Sequence, residues 1–534
     1  NRLGGSRNKW QYYVCHQYKK GNGWRPNGDF KLHSFYGSIK YHLNESSSLG
    51  IELTKYNYNA HQPGGLTDFL FEQGASQSIR ERNWFGVDWN ILALSFDHKF
   101  SNGDKLNTRF FGLKGNRRSL GYLGMISRTD PLTDRDLIIG EYLNIGNETR
   151  WVQKYSIGNI LGTFLLGGRI YKGNTNNKQG YGNDGFDADY DFNNINDLEG
   201  SDYEFPSDNI SIFLENYMAF NEHWTITPGV RYETINTKSF GYFKEIEKDL
   251  AGNIIFEQNI YDTIKQDRQL VLLGLGASYK LGDMEVYANF SQNYRAINFT
   301  DLRVNNPNLE VDKDIKDERG FNTDIGFRGR FFKAINYDIS FFCLYYRDRI
   351  GEMYRVDSST FRLYRYRTNV ADSRNVGIEC LIELNILRLI KKQKKDIQLS
   401  VFGNAALINA KYLNAFENAI EGKLVELVPN ITFKGGLEFK YKNLSCSVQN
   451  AFTGSHYTDA TNAEYTSSAI GGLIPAYNVI DISLGYEKGK FIVETGINNA
   501  LNAIYFTRRA TSYPGPGIIP ADPRNIYFTI GLKL

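Results

Sequence analysis

The sequence is short of residues that cross-link, kink or bind metal: 4 cysteines, 7 histidines and 12 prolines in 534 residues. Cys15, Cys343, Cys380 and Cys446 lie in segments far apart in the chain. That spacing argues against a disulfide framework or thiolate metal site and for small hydrophobes, the last three on the parity expected to face lipid. His16, His33, His42, His61, His98, His223 and His456 show no ligand spacing, so a zinc site is not expected. Scarce proline leaves backbone N–H groups available for sheet ladders. No apolar run approaches the roughly 18 residues of a spanning helix, and the mean hydropathy is −0.44. A net charge of +3, evenly spread, gives no ground for a nucleic-acid partner. The polar stretch Asn1 to Trp10 is no signal peptide. A barrel delivered across an inner membrane needs one, so the N-terminus is expected to be processed or truncated.

What the chain has is aromatic residues, 36 tyrosines and 35 phenylalanines, set in segments of alternating polarity. In Asn525 to Leu534, Ile526, Phe528, Ile530 and Leu532 share one parity, while Tyr527, Thr529, Gly531 and Lys533 share the other. Period two places these sets on opposite faces of a strand. Met284, Val286, Ala288 and Phe290 alternate with Glu285, Tyr287, Asn289 and Ser291 in the same way. With no apolar helix to cover such faces, lipid is the covering phase.

About twenty strands are expected, from 8–19 to 525–534, with boundaries uncertain by roughly 2–4 residues. Tight turns alternate with long loops at 60–83, 118–146, 174–207, 239–266, 296–314, 348–370, 412–426, 456–475 and 501–524. The fold class is all-β: a large antiparallel transmembrane β-barrel with its long loops outside the cell. A barrel this wide encloses either an open channel or a separate plug.

Arg117, Arg118, Arg128, Arg135 and Arg150 cluster in and beside loop 118–146. Guanidinium forks suit carboxylates and phosphates, either of a ligand or of lipopolysaccharide. Loop 174–207 is acidic, and Asp187, Asp189 and Asp191 alternate without completing a calcium-loop pattern, which favours a solvated, mobile loop. Lys391, Lys392, Lys394 and Lys395 mark one longer turn on the short-turn rim. No convergent catalytic set is visible, and no covalent chemistry is expected.

Several stretches resemble TonB-dependent outer-membrane receptors, most closely the ferric-citrate type. They include Lys20-Gly21-Asn22-Gly23-Trp24-Arg25, Gly65-Leu66-Thr67, and Lys105-Leu106-Asn107-Thr108 with Phe110-Phe111. Tyr294-Arg295-Ala296 with Asn306-Pro307-Asn308-Leu309 is similar to a paired signature of such receptors, and Arg374-Asn375-Val376-Gly377 to a late strand entry. The most specific stretch is Asn498-Asn499-Ala500-Leu501-Asn502, Tyr505-Phe506-Thr507-Arg508-Arg509 and Tyr513-Pro514-Gly515-Pro516-Gly517. Leu534 stands where an aromatic usually closes the chain.

The resemblance implies a barrel of the 22-stranded type, spanning 1–534, with the N-terminal plug, the TonB-docking segment and the first hairpin absent. It implies active import of a ferric siderophore or citrate chelate across a Gram-negative outer membrane, with TonB, lipopolysaccharide and lipid as partners. The chelate is cargo, and no cofactor is expected. Arg117, Arg118, Arg128 and Arg135 are the expected ligand contacts, followed by Arg508, Arg509 and Gln73. The competing readings are a passive porin, an importer of haem or cobalamin, and a barrel lipase or protease. No histidine lies in Ile297 to Asn305, where a haem receptor would be expected to carry one.

Overall fold

The structure, a computed structural model, describes residues 1–533 apart from 125, 250–252, 298–308, 357–362, 391–395, 416, 468 and 511–514. One 22-stranded sheet dominates it. Leu309–Val311 is a short parallel addition beside Leu363–Asn385, and the remaining strands form an antiparallel meander. Each pairs with its neighbours in sequence, from Arg2–Arg7 to Asn525–Leu532. Among the described residues no ladder joins these two outermost strands.

The faces follow the period-two pattern. Outward rows run Ile39–Ile51–Leu94–Phe110 across four neighbouring strands and Leu53–Leu92–Gly112 across three of them. Ile51, Leu94 and Phe110 are 51%, 44% and 56% exposed in the isolated chain, which fits a face meant for lipid. The opposite face is polar: Lys40 pairs with Asp97 at 3.0 Å, Asn107 donates to Asp97 at 2.6 Å, and Arg109 pairs with Glu52 at 2.8 Å.

Short connections at 8–9, 43–46, 100–104, 158–159, 220–223, 282–283, 332–334, 386–396, 442–443 and 489–490 alternate with longer ones, the exceptions being the lengthened 386–396 and the short 249–253. In an up-and-down meander this alternation puts all the long loops on one rim. Two departures from the sequence reading stand out. Arg2–Arg7 is a strand, closed onto Trp10–Gly21 by a turn in which Asn8 is left-handed at φ 53°. Its Gly4-Gly5 pair and charged flanks carry no apolar alternation, so the sequence reading, which begins its strands at 8–19, misses it.

The loops are also shorter than expected because their flanks remain strand. Ile160–Gly182 and Ser201–Ala219 reduce loop 174–207 to 183–200. Trp224–Lys248 and Ile254–Leu281 take in nearly all of 239–266. Beyond the lipid both faces meet water, so apolar alternation disappears while backbone pairing continues.

On the long-loop rim the loops pack on one another. Leu66, Ile474, Phe506 and Ile518 join three loops in one buried cluster. Met353, Val370, Tyr412, Ile420, Val425 and Ala460 form part of a second, which pins loop 414–430 to the strand ends.

Candidate ligand-binding site

Four arginines of the long-loop rim bind within the protein. Arg82 is buried and forks onto Asp130, with Nε to Oδ2 at 3.0 Å and Nη2 to Oδ1 at 2.5 Å. Its Nη1 donates to the carbonyls of Thr133 and Asp184. Burial pushes the Asp130 carboxyl up, but the hydrogen bonds from Arg82 and the Leu132 N–H outweigh it and hold the group below the usual carboxylate range. Arg80 donates to Gly124 O at 3.2 Å and lies over the Tyr122 ring. Arg25 donates through Nε to Gln77 O at 2.9 Å, and burial lowers its guanidinium to about 10.

Arg135 is fully buried; it donates to the carbonyls of Asn183 at 2.8 Å and Asp187 at 2.7 Å. The acidic loop is therefore folded rather than simply solvated. Asn183 donates to Asp189, Tyr190 donates to Asn59 at 2.6 Å, and Leu198 is fully buried. Among the described residues no group of side chains could hold a metal ion.

The residues expected to meet ligand separate into two kinds. Arg117 and Arg118 are consecutive on one strand and point to opposite faces. Arg117 lies over Phe85, on the face of Glu52 and Asp97, whereas Arg118 lies on the outer face over Tyr190. Arg128 is exposed on a loop and Gln73 at the end of the short helix Asp68–Gln73. Arg135 and Arg509 are buried and engaged. Arg150, far down its strand, pairs with Glu148.

Arg508 is exposed and lines a cavity of about 670 Å³ among the loop ends. Arg295, Arg367 and Arg509 also line it, facing Glu352 and Glu426. Arg367 bonds Glu352 at 2.6 Å and Arg295 bonds Glu318 at 2.6 Å, so two of the guanidiniums are held in fixed positions. His456 and Thr458 complete the polar wall. Sequence reasoning did not weigh Arg367, Glu352 or Glu426, which lie in strand extensions and a loop without a motif. Arg295 falls within a quoted signature, which was the available signal. Asn306 to Asn308, Lys391 to Lys395, Tyr513-Pro514 and Leu534 lie outside the described residues.

The chain thus combines a wide antiparallel meander with loops packed on one rim and an arginine-lined cavity among the loop ends. Residues 6–500 match the family described as TonB dependent receptor-like, beta-barrel, and the chain belongs to that family. Among solved structures it is similar to the ferric citrate transporter FecA in its unliganded form. The TM-score is 0.79 at 18% identity, covering 100% of this chain and 75% of that one. The ferric-catecholate import receptor Fiu from K12 E. coli gives 0.75 at 13%, with 99% and 79% covered. The ferric yersiniabactin uptake receptor FyuA from Yersinia pestis gives 0.75 at 14%, with 99% and 77% covered. At these identities the likeness is one of fold.

Proposed function

We propose that this chain is the barrel of an outer-membrane receptor that imports an anionic ferric chelate of the citrate type, driven by TonB. The observation that carries the reading is the cavity lined by Arg295, Arg367, Arg508 and Arg509, three of them fixed in place by Glu318, Glu352 and Asp68. Charge-assisted bonds from forked guanidiniums favour a ligand rich in carboxylates. Arg508 and Arg367 would bind the chelate directly, with Arg117 and Arg128 meeting it on its way in. Gln73 would touch it from the exposed end of its helix. Arg118, Arg135 and Arg509 would shape the loops around it. In this reading a plug occupies the lumen and TonB acts on the plug, so the barrel supplies the outer binding surface. Family membership and three iron-chelate receptors of the same fold support import over passive diffusion or catalysis.

Calorimetry on the full-length receptor tests the proposal, with ferric citrate compared against a neutral ferric hydroxamate. Arg508→Gln and Arg367→Gln are each expected to weaken ferric citrate binding by about tenfold, the loss of one charge-assisted contact. Equal affinity for the two chelates, or unchanged affinity in both variants, would overturn it.

A further inference from the structure

We infer that the inward face of the sheet carries a second binding site for a small polycarboxylate, at the short-turn rim beside the turns 332–334 and 442–443. The inference rests on the proposed function, since it takes the same cargo chemistry to the opposite end of the sheet. Arg330, Lys333, Arg388, Lys440 and Lys442 line a cavity of about 670 Å³ there, as large as the one among the long loops. Its carboxylates are Glu383 and Asp396.

Register places the cavity on the face turned away from lipid. Arg330 stands opposite Asn336, Asn336 opposite Glu383, and Glu383 opposite Phe402. Lys440, opposite Gln398, shares that face nearer the turn. One residue along each strand, the row Phe331–Ile335–Leu384–Val401–Leu437 is wholly apolar and points the other way. That row is the one suited to lipid, so acyl chains and the cationic cavity lie on opposite sides of the sheet. A membrane head group is therefore not the occupant.

The guanidiniums are held in place while their charge is left over. Arg330 donates from Nε to Asn336 Oδ1 at 2.9 Å, and Arg388 donates from Nη1 to the Lys333 carbonyl at 2.7 Å. Asn385 accepts the Arg388 backbone N–H at 3.0 Å, which fixes the start of that side chain. Each fork keeps further donors for a carboxylate. Lys440 pairs with Glu438 at 2.7 Å, and the neighbouring Glu285 is taken by Arg328 at 2.9 Å. Glu383 accepts a hydrogen bond from Asn336 at 3.1 Å. Among the described residues Arg330, Lys333, Arg388 and Lys442 are in no ion pair, so the cavity keeps more positive charge than Glu383 and Asp396 offset. Crowded like charges are relieved by an anion that carries more than one negative group. The volume is that of a small-molecule site. All four unpaired cations are exposed, so the anion is bound loosely enough to leave, as a station at the exit of a transport route requires.

The test maps arginine modification by phenylglyoxal, peptide by peptide, in the full-length receptor in mild detergent, with ferric citrate as the probe. Arg508 reports the cavity among the loops, and Arg330 and Arg388 report the second one. Arg109, paired with Glu52 on the same inward face, is the control. Ferric citrate at about ten times its Kd is expected to slow labelling of Arg330 and Arg388 by roughly tenfold and to leave Arg109 unchanged. The variant K333Q/K442Q is expected to need roughly tenfold more ferric citrate for the same protection of Arg330 and Arg388, with Arg508 protected as before. If that variant fails to fold, judged by heat-modifiable mobility, protection in the wild type decides the matter. Protection of Arg508 alone would overturn the second site and leave the proposed function standing; protection of Arg330 and Arg388 alone would do the reverse. No labelling of Arg330 or Arg388 in the absence of ligand would show the cavity filled by another part of the receptor, and would also overturn the inference. So would equal protection by sulfate at the same concentration, which would mark a simple anion site.

Discussion

Arg509 and Asp68 lie 441 residues apart in sequence and form a two-pronged ion pair, with Nη2 to Oδ1 at 2.6 Å and Nη1 to Oδ2 at 2.9 Å. The same guanidinium donates to the carbonyls of Ala469 and Leu473 and lies over Phe506. One side chain thus binds three long loops, from the second to the last of the meander. The apolar cluster of Leu66, Ile474, Phe506 and Ile518 packs beside it.

Arg509→Ala should therefore unfasten the loop cluster without unfolding the sheet. Asp68 keeps partial access to water, so the cost is set at about 2–3 kcal/mol, below that of a fully buried pair. Hydrogen exchange at residues 66–71 and 517–519 should speed up while the strand amides stay protected. Arg509→Lys should recover only part of the protection, because an ammonium lacks the fork. Unchanged exchange in the alanine variant would show that the apolar cluster alone holds the loops.

Arg135 and Arg117 should differ in kind. Arg135 holds loop 183–200 through the carbonyls of Asn183 and Asp187, so Arg135→Ala is expected to expose that loop at a cost of about 2 kcal/mol in lost hydrogen bonds. Arg117→Ala, on the opposite parity from the Tyr190 contact, should leave exchange in 183–200 as it was. Chelate affinity should fall in the Arg117 variant through lost contact. Loss of loop protection in both variants would remove the distinction drawn between them.

Gly65 is a point of close approach. A Cβ there would lie 2.1 Å from the carbonyl oxygen of Pro516. The adjoining residues exchange two backbone bonds, Leu66 N–H to Ile518 O and Ile518 N–H to Leu66 O, both at 2.8 Å. Gly65→Ala should push loop 499–524 away and cost about 1–3 kcal/mol as overpacking. Faster exchange at Leu66 and Ile518, with a lower apparent Tm, is the expected result; wild-type exchange at both amides would refute it.

Much of the sheet was legible because lipid on one side and water on the other impose period two, as in Met284–Arg295 and Asn525–Leu532. Arg2–Arg7 was missed because Gly4 and Gly5 carry no side chain to alternate. The strand extensions at Ser201–Phe205 and Glu245–Lys248 were missed because both faces leave the lipid. The site was less legible. Arginines at 82, 135 and 509 read alike in sequence with those at 117 and 508, and what separates them in the fold is that the first three are buried and the last two exposed. Asp68 and Arg509 carry no mutual signal across their separation, so only the folded loops pair them.

The pH dependence of the second loop cluster follows from Glu426. Tyr412, fully buried at the end of Ile397–Leu413, donates its hydroxyl to the Glu426 carboxylate in loop 414–430. Burial pushes the Glu426 carboxyl above its ordinary 4.5, against the opposing pull of Arg349. A carboxyl whose folded value is raised binds its proton more tightly in the packed loop than in the open one. Its contribution is then fully present below the ordinary value and is lost as pH rises through the folded value. The free energy of opening at the Tyr412 amide, which donates to Lys423 O at 2.9 Å, should fall as pH rises from the ordinary 4.5 through the raised folded value. Hydrogen exchange, corrected for the intrinsic rate, reads it directly. Glu426→Gln holds a neutral side chain of the same shape, so its profile should be flat across that range. A flat wild-type profile, or an equal slope in both proteins, would show that Glu426 does not titrate there.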